Sequence, residues 1–317
     1  MRARPRKLHV GLLRDYAVTF TLVALFTALS VSTGPFFQEQ NLKNVLEQST
    51  TVGLIAVAGT LVIIAGGFDL SVGSIFAISG VIAAEAAVHW NPTLGLIVGI
   101  ASGALFGLAN GVLVTVLRIN PFIATLGSAI VFGGIALRIT HGDLITVDPE
   151  SPFTHFGLNG FLGFKYSIWL WLAVALGMGL ILSRTALGRY IYACGGNEEA
   201  ARLSGVAVGT VRTVTYILSG LAAGLAGVLS ASRIGTGQAD VGSELGLTAV
   251  AAIVVGGTSI WGGQGAVWRT MVGVLLLSLI SNGFNLNGID PVYYDIVYGG
   301  IILTAAGIDA FLRRKAV

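Results

Sequence analysis

Residues 93–140 read TLGLIVGIASGALFGLANGVLVTVLRINPFIATLGSAIVFGGIALRIT, and Arg118 and Arg138 are the only charges among them. About 20 apolar residues cross a bilayer core as a helix, so this stretch holds two crossings joined at Arg118–Pro121. Working outward on the same criterion predicts spans near 15–33, 49–66, 71–88, 94–117, 121–139, 167–183, 211–231, 245–260, 266–285 and 292–311. The fold expected is an all-α polytopic membrane bundle of about ten helices, one domain over 1–317 with no linker or low-complexity tract.

Composition agrees. Apolar residues make up 54% of the 317 and charged ones 10%, with a mean hydropathy of +0.84. A soluble domain of this size could not bury so much apolar surface, which makes lipid the expected solvent. Placing the N-terminus inside puts fourteen of the eighteen Lys and Arg on the cytoplasmic side, and leaves Lys43, Arg138, Lys165 and Arg233 outside. Cytoplasmic loops are enriched in Lys and Arg, so both termini are expected in the cytoplasm. Trp90, Tyr166 and Trp169 then mark the outer boundary, and Tyr16, Tyr190, Trp261 and Trp268 the inner one. The first span follows basic residues as a signal peptide would. It is long for one and lacks a small-x-small cleavage site, so it reads as an uncleaved anchor.

Gly95, Gly99, Gly103, Gly107 and Gly111 recur at every fourth position of the fourth span, and Gly220 and Gly224 repeat the spacing in the seventh. Such a ridge lets a neighbouring backbone approach closely, for static packing or as a sliding surface in gating. Gly66, Gly67 and Gly73 recur 190 positions later as Gly256, Gly257 and Gly263, a hint of internal repetition.

Covalent chemistry finds little support. No lysine follows a glycine, so there is no P-loop, and neither HExxH nor GxSxG occurs. Cys194 is the sole cysteine, and the four histidines lack metal-ligand spacing. Basic residues are dispersed rather than gathered on one face, which argues against nucleic acid. Buried carboxylates are nearly absent from the predicted spans; the exceptions singled out are Glu85, one turn from His89, and Asp295, read as a first-turn acid favoured by the helix dipole. So few intramembrane acids argue against an ion-driven relay.

The segment 184–210, RTALGRYIYACGGNEEAARLSGVAVGT, is the informative loop. Asn197 can cap a two-turn helix that carries Glu198 and Glu199 in its first turn, then Ala200, Ala201, Arg202, Leu203 and Ser204, with Gly205 as the stop. Its small residues suit docking in a partner's groove; an ordinary capped loop helix is the other reading. This stretch, together with AGGFDLSVGSIFAISG (65–80), NGVLVTVLRINPFIATLG (110–127) and GGTSIWGGQGAVWRTMVGVLLLSLISNGFNLNGIDP (256–291), resembles the permease subunits of ribose/xylose/galactose-type ABC importers over roughly residues 40–312. The resemblance implies a dimer of identical or related permease subunits in the bacterial cytoplasmic (inner) membrane. It also implies cytoplasmic ATPase subunits that use ATP and Mg, an extracytoplasmic sugar-binding protein, and no cofactor bound by this chain. It places the coupling helix at 197–205, with Asp69, Ser71, Gly256, Gly257 and Gly263 in cytoplasmic gating loops.

A neutral polyol crossing an apolar bundle needs hydrogen-bond partners and aromatic faces. Asn110, Phe122, Thr125, Ser128, Asn282, Phe284 and Asn285 are the candidates; the competing reading of each is packing between helices or a lipid-facing ring. The rival functions are an ion-coupled secondary sugar carrier and a membrane-embedded enzyme.

Overall fold

A computed structural model describes residues 8–314. The basic residues Arg2, Arg4, Arg6, Lys7 and Lys315 lie outside the described residues, as do the side chains of Arg14, Asp295, Arg313 and Arg314. In chain order the helices are α1 Leu8–Ser32, α2 Glu39–Ile64, α3 Val72–His89, α4 Pro92–Thr115, α5 Pro121–Thr140, α6 Pro152–Leu158, α7 Tyr166–Arg184, α8 Ala186–Gly196, α9 Glu198–Leu203, α10 Val208–Ile234, α11 Leu245–Val255, α12 Val267–Leu286 and α13 Pro291–Arg314. Seven of them (α2, α3, α4, α5, α7, α10 and α12) are long and apolar enough to cross a membrane.

A helix occupies each of the ten predicted spans, with one difference of kind. The span expected at 245–260 contains only the 11-residue α11, about 16 Å long at 1.5 Å per residue. Non-helical backbone supplies the rest. Gly237 lies beside Val81 and Ala84 of α3, and Gly242 beside Phe76 and Gly73, so residues 237–242 run extended down the flank of α3 before α11 begins.

Both long loops carry structure that periodicity did not predict. In 184–210 the amphipathic α8 precedes α9. In 140–166 there are α6 and two short ladders. β1 (Ile145–Thr146) pairs antiparallel with β4 (Thr236–Gly237), and β2 (Gly160–Phe161) with β3 (Phe164–Lys165). Leu162 and Gly163, both at positive φ, make the tight turn of the second pair. Two residues per strand are too few for any hydrophobic alternation to show in sequence.

The bundle is organised round α10, which packs on α4, α3 and α2. The glycine ridge of α4 faces this helix. A Cβ at Gly103 would sit 2.7 Å from the Gly224 Cα, and one at Gly220 would sit 2.8 Å from the Gly107 Cα. Further along, Gly99 meets Ala83 of α3 and Val228 of α10. Close approach also aligns small polar groups, as in the 2.9 Å hydrogen bond between the Thr115 and Thr213 hydroxyls. A second core joins α2 to α7 through Val57, Leu61, Ala175 and Met178, while Trp171 of α7 is buried in the main core against Gly53. Glu85 and His89 pair within α3 at 3.3 Å. At the other edge of the bundle α1 packs on α12, with Tyr16 against Trp268.

Overpacking a close contact costs about 1–3 kcal/mol or more, and here the obstacle is backbone that cannot rotate away. Gly220→Leu should therefore lower the thermal midpoint of the detergent-solubilised protein by several degrees. Gly134→Leu, on α5 with nothing within 4 Å of its Cβ position, should leave the midpoint within a degree. A melting curve followed by size-exclusion fluorescence compares the two.

Candidate functional site

Three chain segments meet at one end of α2, α8 and α11. Helices α2 and α11 stop in the same way. Gly66 (φ +79°) donates to the Ile63 carbonyl and Gly67 to that of Val62; Gly257 (φ +85°) donates to Val254 and Thr258 to Ile253. These are the paired bonds of a Schellman stop, with glycine in the left-handed position. Conformation thus equates Gly66 with Gly257, one residue away from the register that the glycine spacing suggested; Gly256 is right-handed at φ −61°.

The loops that follow touch through backbone alone. The Gly263 N–H donates to the Ile64 carbonyl at 2.9 Å, a Cβ at Gly262 would lie 3.1 Å from the Gly66 Cα, and one at Gly263 would lie 2.8 Å from the Gly196 Cα at the end of α8. The Tyr192 hydroxyl on α8 donates to the Gly265 carbonyl at 2.7 Å. Gly263 is therefore joined both to the end of α2 and to the segment that leads into α9, whereas Gly256 and Gly257 lie against Arg269 of α12.

In α9 the Asn197 side chain caps the helix by accepting from the Ala200 N–H at 2.9 Å. Gly205 (φ +84°) closes it with another Schellman pair, its own N–H to Arg202 and that of Val206 to Ala201. Ala201 turns inward and is buried. Glu199, Ala200, Arg202, Ser204 and Gly205 are exposed, and Leu203 is 84% exposed. Glu198 bridges two guanidinium groups, Arg202 at 2.7 Å and Arg212 of α10 at 2.9 Å. The Nε of Arg212 in turn donates to the Ala65 carbonyl at 3.1 Å. A charged link thus runs from α9 to the start of the 65–71 loop.

That loop climbs back into the bundle. Asp69 is buried and accepts from the Ser71 N–H (3.1 Å), the Ser71 hydroxyl (2.6 Å) and the Ser219 hydroxyl of α10 (2.9 Å). Asn110 donates to the Ser71 Oγ at 2.6 Å, Thr125 accepts from the Leu70 N–H at 3.2 Å, and the Tyr216 hydroxyl donates to the Phe68 carbonyl at 3.0 Å. Sequence reading placed Asp69 in a surface-side loop and counted it among no intramembrane acids. Here it is a carboxylate inside the bundle, with both oxygens engaged.

The seven residues proposed for a sugar path separate into two groups. Asn110, Phe122, Thr125 and Ser128 gather round the 65–71 loop, Thr125 and Ser128 also bonding to carbonyls of their own helix, and the Phe122 ring against that of Phe68. Asn282 exchanges hydrogen bonds with Asn41 near the opposite end of α2, with Phe284 against Tyr294 and Asn285 exposed. The two groups do not line one surface. Arg212, Tyr216 and Ser219 were missed, although their spacing of four and three sets a polar stripe on one face of an otherwise apolar span.

Cys194 is buried beside this junction. Burial pushes its thiol up from the ordinary range, against a smaller downward pull from Arg212 and with a small upward push from Glu198. Among the described residues no three His, Cys, Asp or Glu side chains converge as metal ligands would.

Comparison with known proteins carries the assignment. A family profile described as "Branched-chain amino acid transport system / permease component" matches residues 41–306. The chain belongs to this permease family. Its relatives include the ribose import permease protein RbsC of Escherichia coli K12, 38% identical over 91% of each chain. RbsC of Bacillus subtilis 168 is 37% identical over 100% of this chain and 98% of its own. The L-arabinose ABC transporter permease protein AraH of Azospirillum brasilense is 35% identical over 96% and 90%. The matched region of this permease takes in α9, both glycine-rich loops and the buried Asp69.

Replacing Asp69 tests the buried cluster of the permease. Hydrogen bonds to charged groups contribute about 1.5–3 kcal/mol. Asp69→Asn would set an amide's donors against the donors of Ser71 and Ser219, and should destabilise by about 2 kcal/mol or more. Ser219→Ala, which leaves the carboxylate both Ser71 bonds, should cost about half as much. Denaturation in detergent micelles reads both.

Proposed function

We propose that this permease carries a monosaccharide inward across the bacterial cytoplasmic membrane by alternating access, driven by ATP hydrolysed with Mg on a separate ATPase subunit. An extracytoplasmic binding protein delivers the sugar, and two permease subunits together form the passage. The chain performs no covalent step and binds no cofactor of its own. The sugar class follows the relatives, whose names specify ribose and L-arabinose import.

The observation that carries the coupling is the link Glu198–Arg212–Ala65. Helix α9 presents Leu203 outward as an apolar knob while Ala201 anchors it to the bundle, so a displacement of α9 by a partner is passed to the 65–71 loop through Arg212. In this reading α1, α2, α3, α4, α5, α7, α10, the 235–255 segment, α12 and α13 make ten crossings. An even number leaves both termini on the cytoplasmic side with α9.

Topology is tested by single cysteines in a Cys194→Ala background. Glu150→Cys should react with an impermeant thiol reagent applied to intact cells, and Glu199→Cys should react only after permeabilisation; the reverse pattern inverts the orientation. Gly237 is unsuitable as a reporter because its Cβ position lies 2.7 Å from the Ala84 Cβ.

Coupling is tested at Leu203. Leu203→Asp removes an exposed apolar group without touching the core, so the protein should insert normally yet lose co-purification of the ATPase and at least 90% of uptake. Ala201→Trp would disturb packing inside the chain and cannot report on docking. Uptake that survives loss of the ATPase but collapses with a protonophore would instead establish a secondary carrier.

A further inference from the structure

A cavity of about 350 Å³ lies where the extended stretch 235–244 passes α3 and α10, away from the seven residues considered above. Irregular backbone at membrane depth is tolerated only where protein covers it or where it lines a cavity. Gly242, packed on Gly73 of α3, forms part of the lining. Phe76 supplies an apolar wall, and Thr51, Ser230, Arg233, Gln238 and Glu244 supply polar groups from α2, α10 and the extended stretch.

Those polar groups are unusual in this chain. Ser49, Thr60 and Ser183 satisfy their hydroxyls on the carbonyl four residues back, at 2.7, 2.7 and 2.6 Å. The side chains of Thr51, Ser230, Gln238 and Glu244 have no hydrogen-bond partner among the described residues. Arg233 has a carboxylate neighbour, Glu47 at 3.4 Å, which neutralises it and leaves most of its N–H donors available. The lining thus offers hydroxyl, amide, guanidinium and carboxylate groups beside one aromatic face. It holds no unpaired cation for a substrate carboxylate. That combination suits a neutral polyol, whose hydroxyls need paired donors and acceptors and whose C–H face needs an apolar wall.

We infer that this cavity is a monosaccharide-binding site within the permease, occupied during passage. The inference rests on the sugar-import reading above and adds the place where the sugar is held. The cavity lining adjoins the 65–71 loop, since Gly246 at the start of α11 lies against Leu70.

The test uses the full importer in proteoliposomes with D-ribose, L-arabinose, D-allose, D-fructose and L-leucine as probes. With whichever sugar the wild type transports, Gln238→Leu and the near-isosteric Thr51→Val should each lower uptake at least tenfold at saturating binding protein. Membrane insertion and co-purification of the ATPase should match wild type in both variants, so the loss lies in the site and not in assembly. In a Cys194→Ala background, the transported sugar should slow alkylation of Ser230→Cys at least fivefold. Normal uptake by both variants, absence of sugar protection, or protection by L-leucine instead overturns the site while leaving sugar import intact. A wild type that transports none of the four sugars overturns the import reading itself.

Discussion

Close approach of backbones is the constraint on which this bundle depends. In lipid there is no hydrophobic gain from pressing one apolar helix on another, and association relies on van der Waals contact and interhelical hydrogen bonds. Both strengthen as axes come closer, and axes come closest where side chains are absent. The α4–α10 crossing realises this with Gly103 and Gly107 against Gly220 and Gly224. The same closeness lets Asn110 reach Ser71 and Ser219 reach Asp69. A methyl group at the crossing would hold α4 and α10 apart and carry away the donors on which the buried carboxylate relies.

The second constraint is satisfaction of the backbone where helices break. Both α2 and α11 end in the interior side of the junction, and each loses the i→i−4 partners of its last turn. Glycine in the left-handed position returns the chain on itself and recovers two of those carbonyls. The Ile64 carbonyl, left over from α2, is taken by Gly263 from the other loop. The break in α2 is thereby closed partly by the other loop, which joins two regions nearly two hundred residues apart through a backbone hydrogen bond.

Helix α9 shows how a short element can be both anchored and available. Six residues are too few to be stable alone, so the helix is fixed by Asn197 at one end, Gly205 at the other, Ala201 in the core and Glu198 on Arg212. What remains outside is a small surface dominated by Leu203 and Ala200. Exposed pairs such as Glu198–Arg202 contribute little to stability; the half-buried Arg212 matters because it also holds the Ala65 carbonyl.

Sequence alone determined where the long apolar helices lie, the glycine ridge and the caps of α9, because each is a local property. Twenty apolar residues, a four-residue repeat or an Asn eight positions before a Gly can be read without knowing what lies alongside. The early stop of the helix in the 245–260 segment was less legible, since Gly256 and Gly257 sit in a chain rich in helical glycines; the Schellman bonds of Gly257 and Thr258 end α11 at Val255. Asp69 and its partners Ser71, Asn110 and Ser219 are likewise scattered over 150 positions, and their convergence is a product of three helices crossing. The inward turn of Ala201 and the free hydroxyls of Thr51 and Ser230 belong to the same class. Hydrogen-bond satisfaction and burial are properties of neighbours, and the neighbours are assigned by the tertiary structure.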